Sequence, residues 1–342
     1  MLIKNKDIAE KLNISPSAVS LARNGKPGVS QQTRSQVFAV LKNMEKQKDS
    51  QVDSWSKGNI TLIVHKKTGK IITESQFFLT VTEEIQERAR MKGYGVNVVH
   101  FNINDNIYEF IENLKRMNTS GILLLATEMG TEELNVYQRI DLPMVILDNY
   151  FIMEKQDSVV IHNIDAEYKI VRYLKTKGFT NVGYLRSKIG NNNFIERYQG
   201  FCQAMEYFGL KIDENYVFTV GTEVDAVYSD MKEILKHNSN LPDVLIAGND
   251  MQAIGAIRAL KEDGYRIPDD ISIVGFDDMP VSRMMDPPLT SIRIGIKKFG
   301  ECAVERLVQK IENYDTDYIT IRVGCDLMIR QSVKDMNKNG NK

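Results

Sequence analysis

The 342-residue chain holds only three cysteines, Cys202, Cys302 and Cys325, far apart and in no C-x-x-C arrangement. A disulfide framework and a thiolate metal cage are therefore excluded, and the three read as reduced thiols of a cytosolic protein. Its four histidines, His65, His100, His162 and His237, are equally dispersed, so metal-ligand spacing is absent and no metal or cofactor is expected. No apolar run approaches the ~20 residues of a membrane span. The opening MLIKNKDIAEKL carries charge every few residues instead of the apolar core of a signal peptide, and a cytoplasmic protein is expected. Catalytic signatures are missing too: there is no Ser/His/Asp arrangement, no G-x-G-x-x-G and no P-loop. Net charge is small. Lys and Arg number 44 against 45 Asp and Glu, a balance of −1 that argues against coating nucleic acid through bulk charge.

The distribution of that charge is uneven. Residues 1–57 carry ten Lys and Arg against five Asp and Glu, a net of +5, leaving 34 against 40, or −6, on the rest. A basic head on an acidic body is the asymmetry expected where one small domain meets a polyanion. The seam EKQKDSQVDSWSKG, residues 45–58, is polar apart from Val52 and Trp55 and reads as a linker. The chain is too long for one core, so two or three domains are expected. The boundaries fall at a head over 1–44, the linker, a body over 59–333, and a polar tail, 334–342, expected to be disordered.

In the head, Ile8, Ala9 and Leu12 recur at helical spacing, predicting a first helix from about Asn5 to Leu12. After a short turn, Ser15 offers an N-cap oxygen and Pro16 suits the first helical position, where its missing N–H costs nothing. The second helix runs to Asn24 and stops at Gly25; Ser30 opens a third, with Val37, Val40, Leu41 and Met44 on its apolar face. Ala18, Val19 and Ala22 pack inward, leaving Pro16, Ser17, Ser20, Leu21 and Asn24 on the other side. Short side chains there suit a major groove, because the backbone can approach the base edges. By periodicity alone, a solvated amphipathic helix in any small bundle fits as well.

The motif D-I-A-E-K-L-N-I-S-P-S-A-V-S…N-G-K-P-G-V-S…T-R, from Asp7 to Arg34, closely resembles the head of lactose/galactose-repressor-type (LacI family) transcription factors. That resemblance implies double-stranded operator DNA as partner. Ser15, Ser17 and Ser20 would face bases or phosphates, and Asn24, Ser30, Thr33 and Arg34 would meet the backbone, contacts that set register rather than sequence. Two departures matter. Leu21 stands where the family commonly has Arg, shifting preference from guanine toward an apolar contact such as a thymine methyl. The family's G-Y-x-P-N segment and hinge helix are missing; Val52 and Trp55 either supply a minor-groove wedge or pack under the next domain.

From Asn59 onward, apolar runs such as ITLIV, GVNVVHF, GILLLA, PMVILD, NVGYLR, DVLIAG and ISIVGF alternate with helical segments. Near-continuous apolar strands separated by amphipathic helices predict doubly wound parallel sheets covered on both faces, in two subdomains. Such sheets bind ligands outside the carboxyl ends of their strands. Asp148, Asn249, Asp250, Asp277 and Asp278 each follow a strand and are the candidates, with helix capping as the alternative role for Asn249 and Asp250.

Resemblance extends over nearly the whole chain. Phe77–Phe78, R-Y-Q-G-F at Arg197, A-G-N-D-M-Q-A-I-G-A-I-R-A-L, R-I-P-D-D-I-S-I-V-G-F-D-D and P-P-L-T-S-I resemble the family's effector domain, a periplasmic-binding-protein-like fold. It implies an effector pocket lined by Asp148, Arg197, Asn249 and Asp277, with Phe77 and Phe78 either an apolar wall for a sugar ring or, for one of them, core. Carboxylates, an amide and a forked guanidinium suit a hydroxyl-rich molecule, a sugar or sugar derivative, with a nucleobase or phosphoprotein as the alternatives. Departures are Ile294 after P-L-T-S-I and His162 before Asn163, the latter read as a structural histidine.

The expected function is that of a homodimeric DNA-binding repressor whose operator affinity is set by a small effector. A cytosolic solute-binding protein without a regulatory role is the second reading, which the basic head opposes. An enzyme using Asp148 and Asp277 for acid–base work is the third, unsupported by any catalytic motif. The tail shows no leucine heptads, so no coiled-coil tetramer is expected.

Overall fold

The computed structural model describes residues 5–23, 28–30, 33–38, 40, 57–67, 76–238, 240–313 and 315–339. Asn24, Leu41, Met44, Val52 and Trp55, singled out in the sequence, lie outside them. The chain divides into two compact units, Met1–Gly58 and Asn59–Lys342.

The first unit has helices α1 (Asn5–Leu12) and α2 (Pro16–Arg23), and residues 33–38 are helical. Ile8, Val19, Ala22 and Val37 are completely buried together, with Ala9 beside them, so the apolar spacing read in the sequence is the packing face. Arg23 Nη1 donates to Asn5 Oδ1 at 2.7 Å, tying the ends of α1 and α2.

The second unit contains two six-stranded sheets. Lobe 1 uses β1 (Gly58–Lys66), β2 (Tyr94–Asn102), β3 (Thr119–Leu125), β4 (Met144–Leu147), β5 (Asp157–Ile161) and β11 (Thr320–Val323), in the order β11-β5-β4-β3-β1-β2. Its helices are α3 (Gln76–Met91), α4 (Ile107–Arg116) and α5 (Thr131–Tyr137). Lobe 2 uses β6 (Val182–Ser187), β7 (Val217–Val220), β8 (Val244–Ala247), β9 (Ser272–Asp277), β10 (Thr290–Ile294) and β12 (Cys325–Met328), in the order β12-β10-β9-β8-β6-β7. With it go α6 (Asn163–Thr176), α7 (Asn192–Tyr207), α8 (Val224–His237) and α9 (Asp250–Glu262), while α10 (Ile296–Asn313) packs on the lobe 1 sheet and α3. The edge pair β10–β12 is antiparallel, an exception to the expected parallel pattern.

Strand period explains the layering. Leu123, Leu125, Val145 and Leu147 face one core, and Ile122, Leu124 and Ile146, between them in sequence, face another with Leu114, Leu134 and Tyr137. In lobe 2, Val244, Ile246 and Phe276 likewise face one core, and Leu245, Ala247 and Ile273 the other. Alternate side chains go to opposite faces, so a strand covered on both sides is apolar throughout.

Three short crossovers join the lobes: at His162 between β5 and α6, at Gly295 between β10 and α10, and at Gly324 between β11 and β12. They lie together, because His162 N donates to Val323 O at 2.9 Å and a Cβ on Gly295 would sit 3.3 Å from Gly324 O. His162 is structural, as expected, since its Nδ1 accepts from Asp165 N and caps α6.

The tail departs from expectation. Where disorder is expected from residue 334, the described residues 334–339 dock on lobe 2 and include a short 3₁₀ turn, Met336–Asn339. The cause is polar: Lys334 N donates to Ser272 Oγ, Met336 N to Lys177 O, and Asp335 pairs with Lys177 Nζ at 2.9 Å.

Candidate functional site

The residues marked in the sequence fall into two sets. On the head, Ser15 Oγ accepts from Ala18 N at 3.1 Å and meets Ser17 Oγ at 2.9 Å, so Ser15 is the cap of α2. Pro16 and Ser17 are exposed at that helix start, and Ser20 and Leu21 are half-buried farther along. Leu21 is partly committed to the head itself: a Cβ at Gly28 would lie 3.2 Å from Leu21 Cδ1. Ser30 repeats the capping arrangement for the helical residues 33–38, its Oγ accepting from Thr33 N at 3.1 Å and meeting Thr33 Oγ1 at 2.8 Å. Arg34 N donates to Ser30 O.

The second set gathers at the carboxyl ends of the strands. Asp148 follows β4 with φ +63° and is buried; its Oδ2 accepts from Thr127 Oγ1 at 2.6 Å, and its Oδ1 is buried without a partner. Burial raises its pKa, opposed by the Thr127 hydroxyl, the Asn193 side chain and the charge of Arg197. Across the cleft, Asn193 of α7 donates to Asp148 O at 3.3 Å, and Asn192 donates to Tyr150 O at 2.8 Å. Glu196, one turn on, accepts from Tyr150 Oη and Arg322 Nη1, both at 2.9 Å, and from Asn163 Nδ2 at 3.0 Å. Tyr150 and Arg322 belong to lobe 1 and Glu196 to lobe 2, so these bonds tie the two lobes to each other.

Arg197 is almost entirely spent on the protein. Its Nε donates to Asn163 Oδ1 at 3.0 Å, its Nη1 to Gly248 O at 2.6 Å, and its Nη2 lies 3.4 Å from Asp277 Oδ1. The guanidinium carbon stacks 3.7 Å from the centre of the Phe276 ring. Asp277, with φ +108°, is pushed up to about 7 by burial; Arg197 opposes, and Asp250 and Asp148 add to the rise. Asn249 caps α9, its Oδ1 accepting from Gln252 N at 2.8 Å.

The neighbouring acids go elsewhere. Asp250 accepts from Met279 N, Ser282 Oγ and Ser291 Oγ, and Asp278 is held by Arg283, Arg293 and Arg330, so both brace the loop after β9. Phe77 packs edge-on to Phe299 of α10 at 5.9 Å, and Phe78 to His100 of β2 at 6.0 Å. Those ring contacts tie the start of α3 to its own lobe 1 neighbours and not to the Arg197 cluster.

Sequence reasoning overlooked Thr127, Tyr150, Asn163, Asn193, Glu196 and Arg322. Thr127 follows the GILLLA strand and was open to the strand-end rule; the Asn191–Asn193 run stood before the R-Y-Q-G-F motif. Glu196 carried no signal, because a glutamate on an amphipathic helix reads as a solvated face. Among the described residues, no group of three or more His, Cys, Asp and Glu is placed to hold a metal, and no helix is long and apolar enough to cross a membrane.

Comparison with known proteins agrees with this anatomy. The periplasmic binding protein-like domain family matches residues 171–333. The HTH-type transcriptional repressor PurR of Haemophilus influenzae is 30% identical over 336 residues, 96% of this chain and 98% of that protein. PurR of Histophilus somni is 29% identical over 333 residues, with 96% and 98% covered. Among solved structures, the transcriptional regulator CelR–cellobiose complex superposes with a TM-score of 0.72 at 20% identity, covering 97% of this chain and all of that one. The lac repressor dimer bound to operator and the anti-inducer ONPF gives 0.70 at 20% identity, covering 98% and 100%.

Proposed function

The chain belongs to the LacI family of helix-turn-helix transcriptional regulators, and on that premise we propose that it is a sequence-specific repressor controlled by a small effector. The effector, a sugar or sugar derivative, sits between the two lobes of the body. A homodimer places two heads on the half-sites of a near-palindromic operator, and the protein acts in the cytoplasm, where the DNA is.

The observation that supports this reading most is the seam between the lobes. Asp148 and Tyr150 on one side meet Asn192, Asn193 and Glu196 on the other, at strand ends where doubly wound sheets take ligands. A molecule held there touches both lobes, and so has different affinities for their open and closed arrangements. Only that difference can drive a change in the heads. On the head, Ser15, Pro16, Ser17, Ser20 and Leu21 lie along one helix as the base-reading and phosphate-touching set, with Ser30, Thr33 and Arg34 on the backbone.

The test is a salt series of binding to the DNA upstream of the chain's own gene. Specific binding of about 10³-fold or more over random DNA is expected, each protomer adding to a steep salt slope. Binding no tighter than to random DNA would overturn the reading.

A further inference from the structure

The cleft has an unbalanced charge inventory. Asp148, Glu196 and Asp277 are three carboxyl groups, and the guanidinium groups beside them are two, Arg197 and Arg322; Glu167, buried between α6 and α7, is held as the acid. Arg322 is engaged by Glu196, and Arg197 gives Nε and Nη1 to neutral acceptors, leaving Nη2 for Asp277. Asp250, from α9, is satisfied by its own hydroxyl and backbone donors, and the Cys325 thiol of β12 is held neutral by burial.

Within that set, Asp148 and Asp277 stand apart. They come from different lobes, one after β4 and one at the end of β9, and the charge of Asp148 bears on Asp277. Asp148 Oδ1 is buried with no hydrogen-bond partner, and burial outweighs the Thr127 and Asn193 side chains and the charge of Arg197 in favouring its neutral form. Arg197 acts on both and offsets one of the two like charges, leaving the other without a cation between the lobes.

We infer that the cleft selects an effector bearing a positively charged nitrogen, an amino sugar or other hydroxylated amine, seated between Asp148 and Asp277. This rests on the reading that the cleft holds a small effector, and it narrows that effector from neutral sugars to cationic ones. Without the amine, a proton takes its place: the closed pair holds one that the open pair releases. Closure then weakens as pH rises from the ordinary aspartate range to about 7, where Asp277 itself ionises in the closed arrangement, by about tenfold per pH unit. Above that it is level.

Small-angle X-ray scattering of the full chain tests both halves. The radius of gyration is expected to grow between about pH 4.5 and 7 in the wild type, and to stay compact in Asp148→Asn and Asp277→Asn. Two isosteric variants guard against one failing to fold. At pH 7.5, N-methylglucamine and D-glucosamine are expected to restore the compact form, while sorbitol and D-glucose at equal concentration are not. Apparent affinity for the amines falls at least tenfold in Asp277→Asn. Compaction by the neutral polyols as well would overturn the charge requirement and leave a neutral effector standing. A radius indifferent to pH, or one that no amine restores, would overturn the inference outright. Operator titrations run in parallel separate the two readings: amine-driven compaction without any change in operator affinity sinks the regulatory role and keeps the charge preference.

Discussion

Replacing Glu167 by Gln should make the protein more stable, and increasingly so as pH rises. Glu167 lies on α6 against Gly200 of α7, where a Cβ would come 3.1 Å from the Glu167 Cβ. It is completely buried, and the Tyr184 hydroxyl is the polar group beside its carboxyl oxygens. Burial pushes its pKa from 4.5 up to about 8, against the pull of Arg197 and of the Tyr184 hydroxyl. At pH 7.5 the folded protein holds Glu167 as the acid and the unfolded chain holds it as the carboxylate. Folding must then take up a proton across about three pH units, costing about 4 kcal/mol. Because the folded state binds the extra proton, stability falls with rising pH between 4.5 and about 8, and is level on either side. Glu167→Gln has no proton to take up. An unpaired buried amide costs about 1–3 kcal/mol of its own, much as the neutral acid does, so the two proteins should be similar at pH 4.5. At pH 7.5 the variant should lead by about 4 kcal/mol. Urea denaturation followed by circular dichroism at pH 4.5, 6 and 7.5 measures the gap. Asp250 and Asp277, raised to about 6 and about 7, slope both curves alike, so only the difference between the proteins reports on Glu167. Parallel curves would refute the reasoning.

Two further perturbations are sharply defined. Asp157 takes Arg306 Nε at 2.5 Å and Lys310 Nζ at 2.6 Å, all but enclosed between β5 and α10. Asp157→Ala takes the carboxylate from Lys310 and leaves Arg306 only Asp315 and the Asp317 carbonyl, and should cost about 3 kcal/mol in thermal unfolding; a loss under about 1 kcal/mol would mean that water and Asp315 already satisfy the cluster. Leu21→Arg should shift one position of each operator half-site toward guanine by about 1–3 kcal/mol, read by binding to a set of half-site variants. An unchanged base preference at every position would place Leu21 away from the groove.

What the sequence made legible follows from burial. The GILLLA and LIAG runs announced β3 and β8 because a strand covered on both faces is apolar without interruption. TIRV and CDLM gave no such sign: β11 and β12 are short edge strands, with Arg322 and Asp326 among their residues. The strand-end rule singled out Asp148 and Asp277 by position, and the same rule offered Asp250 and Asp278, whose carboxylates turn to serines and arginines instead. Distinguishing them needs the side-chain direction, which a sequence position does not carry. Glu167 and Glu196 were hidden for a different reason: on an amphipathic helix, a charged residue is ordinarily the solvent face. Here the packing of α6 on α7 encloses Glu167, and Tyr150 and Arg322 of lobe 1 cover Glu196.

The three crossovers also determine when each lobe is finished during synthesis. Lobe 1 begins with β1, yet its sheet lacks β11 and the cover of α10 until every strand of lobe 2 but one has been made. Lobe 2 waits just as long for β12. Residues 296–328, emerging after all the other strands, close both sheets within a few residues of each other on either side of Gly324. A ribosome stalled at residue 161 would therefore present a sheet with an open edge and an uncovered face rather than a folded lobe. Quality control of this protein is concentrated in that late segment: a frameshift or nonsense mutation just after β10 spoils both halves of the clamp at once.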